Sequence, residues 1–357
     1  MLSANQAHII ASEVSQAAQP RLNSTSVDLK GEYMSTYPCA EMAGFDPEFI
    51  DLDHYIRLIT ERIWEGGRID DIRRYYSDPC VVETPSSVTS SVEDVISGTR
   101  GTLATFPDRR LLAEDIIQSG DAAGGYLSSH RIISTMTHVG DGAFGKPTGR
   151  KIHVRTIADC VCKNNRIIHE WLVRDQAAIA HHIGIAPREL AQRWLNERGG
   201  WNKPVAAAAP AGYVSHVSEE SLAQNYADAM QNFAHQRGQV ALAYDDAVHH
   251  IGPGGCTLFG HDEVATFWRE FFGALEVQSF VVEHLALQHG NGRADRVALR
   301  WRAQTLHHGV GRYGAATGKQ IEVMGINHAE FFNGRVLREW VLLDDVALWM
   351  QVLRLQT

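Results

Sequence analysis

An internal repeat restricts the fold of this chain more than any other feature. Shifted by 169 positions, residues 131–175 fall on 300–344 without a gap, and fifteen of those 45 positions are identical. The matches include Arg131 with Arg300, His138 with His307, Gly145 with Gly314 and Thr148-Gly149 with Thr317-Gly318. They continue through Asn164 with Asn333, Glu170-Trp171 with Glu339-Trp340 and Asp175 with Asp344. Upstream the likeness thins. Tyr76-Ser77-Asp78 meets Tyr244-Asp245-Asp246 at an offset shorter by one, and the segment around Gly98 meets that around Gly260 only after a further deletion. A repeat of this length is a duplicated folding unit, so whatever one copy forms, the chain holds twice.

Each copy has the same order of elements. Apolar residues at three- and four-residue spacing, such as Ile56, Ile59, Ile63 and Trp64, predict an opening helix over 52–65, with a counterpart over about 219–237. A short helix and a short strand follow, the strand around Cys80–Glu83 or Val248–Ile251. Another helix is expected near 91–104 or 261–273. Four strands come next, in the first copy at about 111–118, 124–138, 151–162 and 166–173. Asp175 is placed to cap a short last helix. Helices first and an antiparallel meander afterwards is an α+β pattern, not a βαβ one. The expected organisation is an N-terminal extension over 1–45, a first domain over 46–197, an Ala/Pro linker over 198–214 and a second domain over 215–357. The segment 185–197 reads as helical.

Bulk properties exclude several classes. The chain has 357 residues, 44% hydrophobic and 21% charged, which suits two globular domains rather than disorder. A net charge of −9 argues against a general nucleic-acid or anionic-membrane surface. No apolar run is long enough to span a bilayer, and the N-terminus lacks a basic then apolar signal pattern. Five cysteines (Cys39, Cys80, Cys160, Cys162, Cys256) with no CxxC pair read as reduced thiols, and a cytoplasmic protein is expected.

Certain stretches resemble the SnoaL-like polyketide cyclases. They are T-H-x-G…G-x-P-T-G-R-x-I from Thr137-His138, N-x-R-I-I-x-E-W-x-x-x-D from Asn164 to Asp175, and the Phe106-Pro107-Asp108 turn. The second copy repeats much of this with His307, Gly309, Gly314, Thr317-Gly318-Lys319 and Glu339-Trp340…Asp344. The resemblance covers roughly 50–185 and 218–357. It implies the nuclear-transport-factor-2-like cone, in which a strongly curved antiparallel sheet wraps around helices and leaves a pocket. Members of that superfamily include cyclases, ketosteroid isomerases, dehydratases, epoxide hydrolases and plain binding proteins, so the fold does not fix the reaction. In the cyclases an aspartate directly after the last-strand tryptophan does the acid/base work; Leu172 and Val341 stand there in this chain. A histidine assists from the neighbouring strand, where this chain has Ala158 and Asn327. The resemblance also implies pairing of cones through their outer sheet faces. The two copies are therefore expected to pair inside the chain as a pseudo-dimer, with Trp171 and Trp340 as anchors, and further homo-oligomerisation is left open.

Alternation along strands assigns the faces. If the family's catalytic positions point inward, so do Leu172, Glu170 and Ile168, then Val154, Thr156, Ala158 and Cys160. Tyr126, Ser128, His130, Ile132, Ser134, Met136 and His138 join them. In the second copy the inward set is Trp301, Thr305, His307, Val323, Gly325, Asn327 and Glu339. The candidate catalytic residues are Glu170, His130 and Glu83. An inward carboxylate has its charged form disfavoured by burial, which suits a general acid or base; the same Glu170 and Glu339 also read as hydrogen-bonded carboxylates that order the sheet. His130, replaced by Leu299 in the second copy, reads as a proton mover or as a satisfied core histidine. Glu83 reads as a partner of Glu170 with a different pKa or as a solvated strand end. Tyr126, Ile132, Thr156, Leu172, Trp301, His307, Asn327 and Glu339 are the expected substrate contacts. His138 and His307 also suit a structural bond to the following turn.

No metal and no cofactor is expected. The pairs His181-His182, His249-His250 and His307-His308 put neighbours on opposite faces of a strand, and neither HxxxH nor HExxH occurs. Cys160-x-Cys162 reads as small apolar filling. Dinucleotide, P-loop and nucleophile-elbow motifs are missing. The expected function is cofactor-independent acid/base chemistry of cyclase, isomerase, dehydratase or hydrolase type. Its substrate would be a small hydrophobic or cyclic metabolite, acted on best by the first copy. The alternative is a non-catalytic binding or assembly protein of the same fold.

Overall fold

The computed structural model describes residues 42–205, 213–290 and 292–355. Cys39, most of the N-terminal extension and the alanine-rich middle of the linker lie outside them.

In the first copy, helix α1 (Leu52–Thr60) starts at Asp51, whose side chain accepts from the His54 amide, and runs on into a π-helical turn over Glu61–Glu65. Its apolar stripe of Tyr55, Ile56, Ile59 and Ile63 is buried. Then come α2 (Ile72–Tyr75), β1 (Tyr76–Thr84), β2 (Ser87–Thr89) and α3 (Val92–Thr105), followed by β3 (Arg110–Asp121), β4 (Gly125–Thr137), β5 (Lys151–Lys163) and β6 (Arg166–Arg174). Helix α4 (Gln176–Ile183) is capped by Asp175, which accepts from the Ala178 amide at 3.0 Å; α5 (Pro187–Arg198) fills the segment expected to be helical.

The second copy repeats this order. It comprises α6 (Ser221–Ala234), α7 (Val240–Ala243), β7 (Tyr244–Ile251), β8 (Thr257–Phe259), α8 (Gly260–Gly273), β9 (Leu275–Gln288), β10 (Asp295–His307), β11 (Gln320–Phe332), β12 (Arg335–Leu342) and α9 (Asp345–Leu353). The architecture is α+β, as two six-stranded sheets of order β2-β1-β6-β5-β4-β3 and β8-β7-β12-β11-β10-β9. The sheets are mixed rather than wholly antiparallel. The meander is antiparallel, but β1 joins β6 in parallel and β7 joins β12 likewise. The helices between a first strand and its meander allow the chain to re-enter the sheet at the far side.

The repeated residues sit where the fold demands them. Asn164 and Asn165 both have positive φ, as do Asn333 and Gly334, so each β5–β6-type hairpin turns on two left-handed residues. His138 bonds Thr148 at 3.2 Å, and His307 bonds Thr317 at 3.0 Å, each tying a strand end to its turn. Asp108 accepts from both the amide and the hydroxyl of Thr137 at 2.7 Å, which fixes the Phe-Pro-Asp turn.

The outer faces of the two sheets are in contact. Leu127, Ile157, Val161, Trp171 and Val173 form one apolar cluster with Ile251, Met324, Ile326, Trp340 and Leu342. The Arg300 guanidinium lies 3.6 Å from the centre of the Trp171 ring, and Arg131 lies 3.5 Å from that of Trp340. Buried Asp159 accepts from Arg300 at 2.7 Å, from His284 at 3.0 Å and from the Ser129 hydroxyl at 2.5 Å. Ser129 in turn bonds His328 at 2.7 Å. Burial opposes the Asp159 charge, but His284, Arg300 and Ser129 outweigh it and hold its carboxyl at about 2.

Candidate functional site

The interiors of the two copies differ. Inside the first sheet lies a cavity of about 460 Å³, within the range of small-molecule sites. Its floor is the inner face of β4, β5 and β6: His130 and Ile132, then Thr156, Ala158 and Cys160, then Ile167, Glu170, Leu172 and Arg174. Ile56, Ile59 and Trp64 close one side, α3 another. Gln176, Trp194, Arg198 and Asp344 lie at the end next to the second copy.

Glu170 is buried and, among the described residues, accepts one hydrogen bond, from the Tyr76 hydroxyl at 3.0 Å. Burial pushes its carboxyl up to about 7, against the Tyr76 bond and the charge of Arg174. It therefore passes between acid and base near neutral pH. His130 is also buried. Burial, aided by the charges of Arg57 and Arg131, brings it down to about 3, so its ring is neutral at pH 7. The two do not bond to each other among the described residues. Each pairs with β5, His130 opposite Ala158 and Glu170 opposite Cys160, so two strand spacings across and two residues along, about 12 Å, separate their backbones. The small Ala158 side chain between them leaves room for a ligand.

Four cavity-lining residues each carry a buried polar atom without a partner among the described residues: Nε2 of His130, Oγ1 of Thr156, Nε of Arg174 and Oε1 of Gln176. Such groups cost about 1–3 kcal/mol each when left unpaired, and here they surround one space.

Other expected site residues lie elsewhere. Glu83 was expected beside Glu170, but in the parallel β1–β6 register Val82 opposes Glu170 and Glu83 opposes Trp171, which turns Glu83 to the outer face. There it accepts from His169 at 2.7 Å and from Arg302 of the second copy at 3.3 Å. Ile168 was expected to point inward. A register shift between Val161 and Cys162 on the partner strand inserts an extra residue, so Ile167 faces the cavity and Ile168 packs at the contact between sheets. Tyr126 packs edge-on against Phe45, 5.6 Å between ring centres, and accepts from the Ala43 amide rather than lining the cavity.

The second interior is filled. Trp301 is fully buried and stacks on Phe280 at 5.1 Å, beside Phe272 and a cluster including Trp268 and Phe271. Its indole N–H donates to Asn327 at 3.1 Å. Glu339 accepts from Tyr226, from Tyr244 at 2.9 Å and from His250 at 2.8 Å, so three donors hold it where one holds Glu170. His307 serves its turn, as described. These four therefore stand in packed core and turn rather than around an open space.

Sequence reasoning passed over Arg109 and Arg174, which both line the first cavity. Two signals pointed to Arg174. It shares the Glu170–Leu172 face by alternation, and Leu343 replaces it in the second copy. Cys160 and Cys162 belong to the apolar core of the first copy, and burial pushes both thiols up. Among the described residues no three His, Cys, Asp or Glu side chains gather as a metal site, and no helix is long and apolar enough to cross a membrane.

Curved sheets wrapped on helices, one of them enclosing a cavity, define a protein of the cone-shaped α+β class. The SnoaL-like polyketide cyclase family matches twice, over residues 54–183 and 220–352, and the chain belongs to that family in two copies. Among solved structures it is similar to IdmH from Streptomyces antibioticus, with 21% identity over 37% of this chain and 98% of that one (TM-score 0.33). It is also similar to AclR from Streptomyces galilaeus, with 20% identity over 38% and 98% (TM-score 0.33). A SnoaL-like polyketide cyclase from Agrobacterium tumefaciens matches at 20% identity over 37% and 98% (TM-score 0.30). No functionally curated relative matches the sequence.

Proposed function

We propose that the first copy, domain 46–197, is a catalytic cone performing cofactor-independent acid/base chemistry on a small hydrophobic or cyclic metabolite. The reaction would be of cyclase, isomerase, dehydratase or hydrolase type. The carrying observation is Glu170: a carboxyl inside a largely apolar cavity, held near neutrality, with one protein donor and room for a ligand beside it. Glu170 moves the proton. Neutral His130, two strands away, orients the substrate or exchanges a second proton. Ile132, Thr156 and Leu172 contact it.

The usual cyclase aspartate position holds Leu172, which shares the cavity wall with Glu170. The acid/base role is thus read as displaced by two residues along one strand face. The second copy, domain 215–357, serves as the partner that covers the outer sheet face, in the manner of a second subunit. Cys80, Cys160, Cys162 and Cys256 stand as free thiols, which supports a cytoplasmic setting.

The test is untargeted. The protein is incubated with a cell metabolite extract, and masses that disappear are followed. Glu170→Gln should abolish any conversion found, and full retention would remove Glu170 from the mechanism. A binding-only role is favoured by the missing bond between His130 and Glu170; it predicts a mass retained on the protein and released unchanged.

A further inference from the structure

We infer that the first cavity takes a ligand bearing an anionic oxyacid group, a carboxylate or phosphate, held between Arg109 and Arg174. Both guanidiniums line the cavity. Among the described residues neither makes an ion pair. Arg109 makes one hydrogen bond, to the Ser134 hydroxyl at 3.3 Å, and the Nε of Arg174 is buried without a partner.

This is unlike the buried arginines at the contact between sheets. Arg131 meets Glu114 and Trp340, Arg300 meets Asp159, Glu283 and Trp171, and Arg302 meets Glu83, Glu283 and Glu322. Those positions show what this fold does with a guanidinium that serves structure. Two buried guanidiniums without an ion pair, the charge of Arg174 acting against that of Arg109, are costly in a low-dielectric space, and an incoming anion removes the cost. Burial pulls Arg109 down to about 9, which still leaves it charged at pH 7. The carboxyls whose charge supports Arg174, those of Asp344 and Glu170, are held up at about 7 by burial, so neither is fully ionised at neutral pH.

The second copy supplies the contrast. Leu343 stands at the position of Arg174 and is fully buried in the filled interior. The charge is present where there is space for a ligand and missing where there is none. The inference rests on the reading of the first cavity as a ligand site, and it names the ligand class.

The experiment is calorimetric titration of the full-length protein with cyclohexanecarboxylate, cyclohexyl phosphate and the uncharged cyclohexanecarboxamide. An anion should bind at least about tenfold more tightly than the amide, as expected of charge-assisted hydrogen bonds. Whichever anion binds tighter identifies the oxyacid. Arg109→Gln and Arg174→Gln should each abolish the preference, and Arg155→Gln on the outer face should leave it intact. Arg174→Leu, which copies the second half, guards against a folding artefact of the glutamine variant. Ile132→Trp with Thr156→Gly transplants the second copy's filling pair and should remove all binding. Equal binding of anion and amide, no binding of either anion at millimolar concentration, or a preference that survives the arginine or plugging variants would overturn the inference. Because the readout needs no turnover, loss of the catalytic reading through Glu170→Gln would leave this result standing, and the reverse.

Discussion

The Trp301 indole lies directly over Gly325, so that a Cβ on Gly325 would sit 2.3 Å from its Cε2. The cross-strand pair in the first copy is Ile132 with Thr156, and a cavity stands there instead. The two positions are therefore coupled. Gly325→Thr alone should unfold the second sheet locally, and Trp301→Ile alone should leave part of the indole's space empty and cost up to about the 3–5 kcal/mol of a full truncation. The double variant Trp301→Ile with Gly325→Thr should be more stable than the two single losses predict, by over about 1 kcal/mol. A urea double-mutant cycle checks this, and additive losses would reject the coupling.

Glu170 and His130 should tilt stability with pH in opposite directions. The Glu170 carboxyl is raised to about 7 in the folded chain, from about 4.3 when unfolded. The folded state therefore holds the extra proton between those values, and stability falls as pH rises through them. Glu170→Gln should gain on the parent protein from pH 5 to pH 8, by about 3 kcal/mol at most.

His130 is lowered to about 3. Its neutral ring favours the folded state above about pH 6.5, and that contribution is lost as pH falls toward 3. His130→Leu, which copies Leu299, should thus gain on the parent protein as pH falls. Thermal melts from pH 4 to pH 8 read both tilts, and slopes of the same sign would refute the assignment.

Asp159 should be the most sensitive carboxylate at the contact between sheets. Asp159→Asn leaves Arg300 and His284 facing a neutral amide, at a cost of about 3–5 kcal/mol at pH 7. The folded carboxyl is held at about 2, so the charged form stabilises above the unfolded value near 3.9 and is lost below it. The penalty of the variant should shrink when denaturation is repeated at pH 3. A penalty unchanged between pH 7 and pH 3 would show that the charge is not what matters.

Much of the fold was legible because its elements obey period rules. Alternation placed His130, Ile132, Thr156, Glu170 and Leu172 on one face, and all five line the cavity. It failed at Ile168 because a bulge adds one residue and inverts the faces beyond it, which no pattern of side chains announces. Glu83 was misplaced for a related reason: the parallel pairing of β1 with β6 decides its face, and that register depends on distant residues. The filled second interior was half visible. Trp301 and Gly325 were both assigned inward, but only their opposition across β10 and β11 tells that one occupies the space of the other.

Asp159 and His328 hold equivalent positions in the two copies, joined through Ser129, whose own counterpart is Ala298. Two first halves brought together would set carboxylate against carboxylate; two second halves would lack the bridging hydroxyl. Each half is thus a poor mate for its own kind and a good one for the other. Severed at the linker, the halves should reassemble as a heterodimer rather than sort into two homodimers. The only misassembly that keeps every contact is exchange of halves between neighbouring molecules.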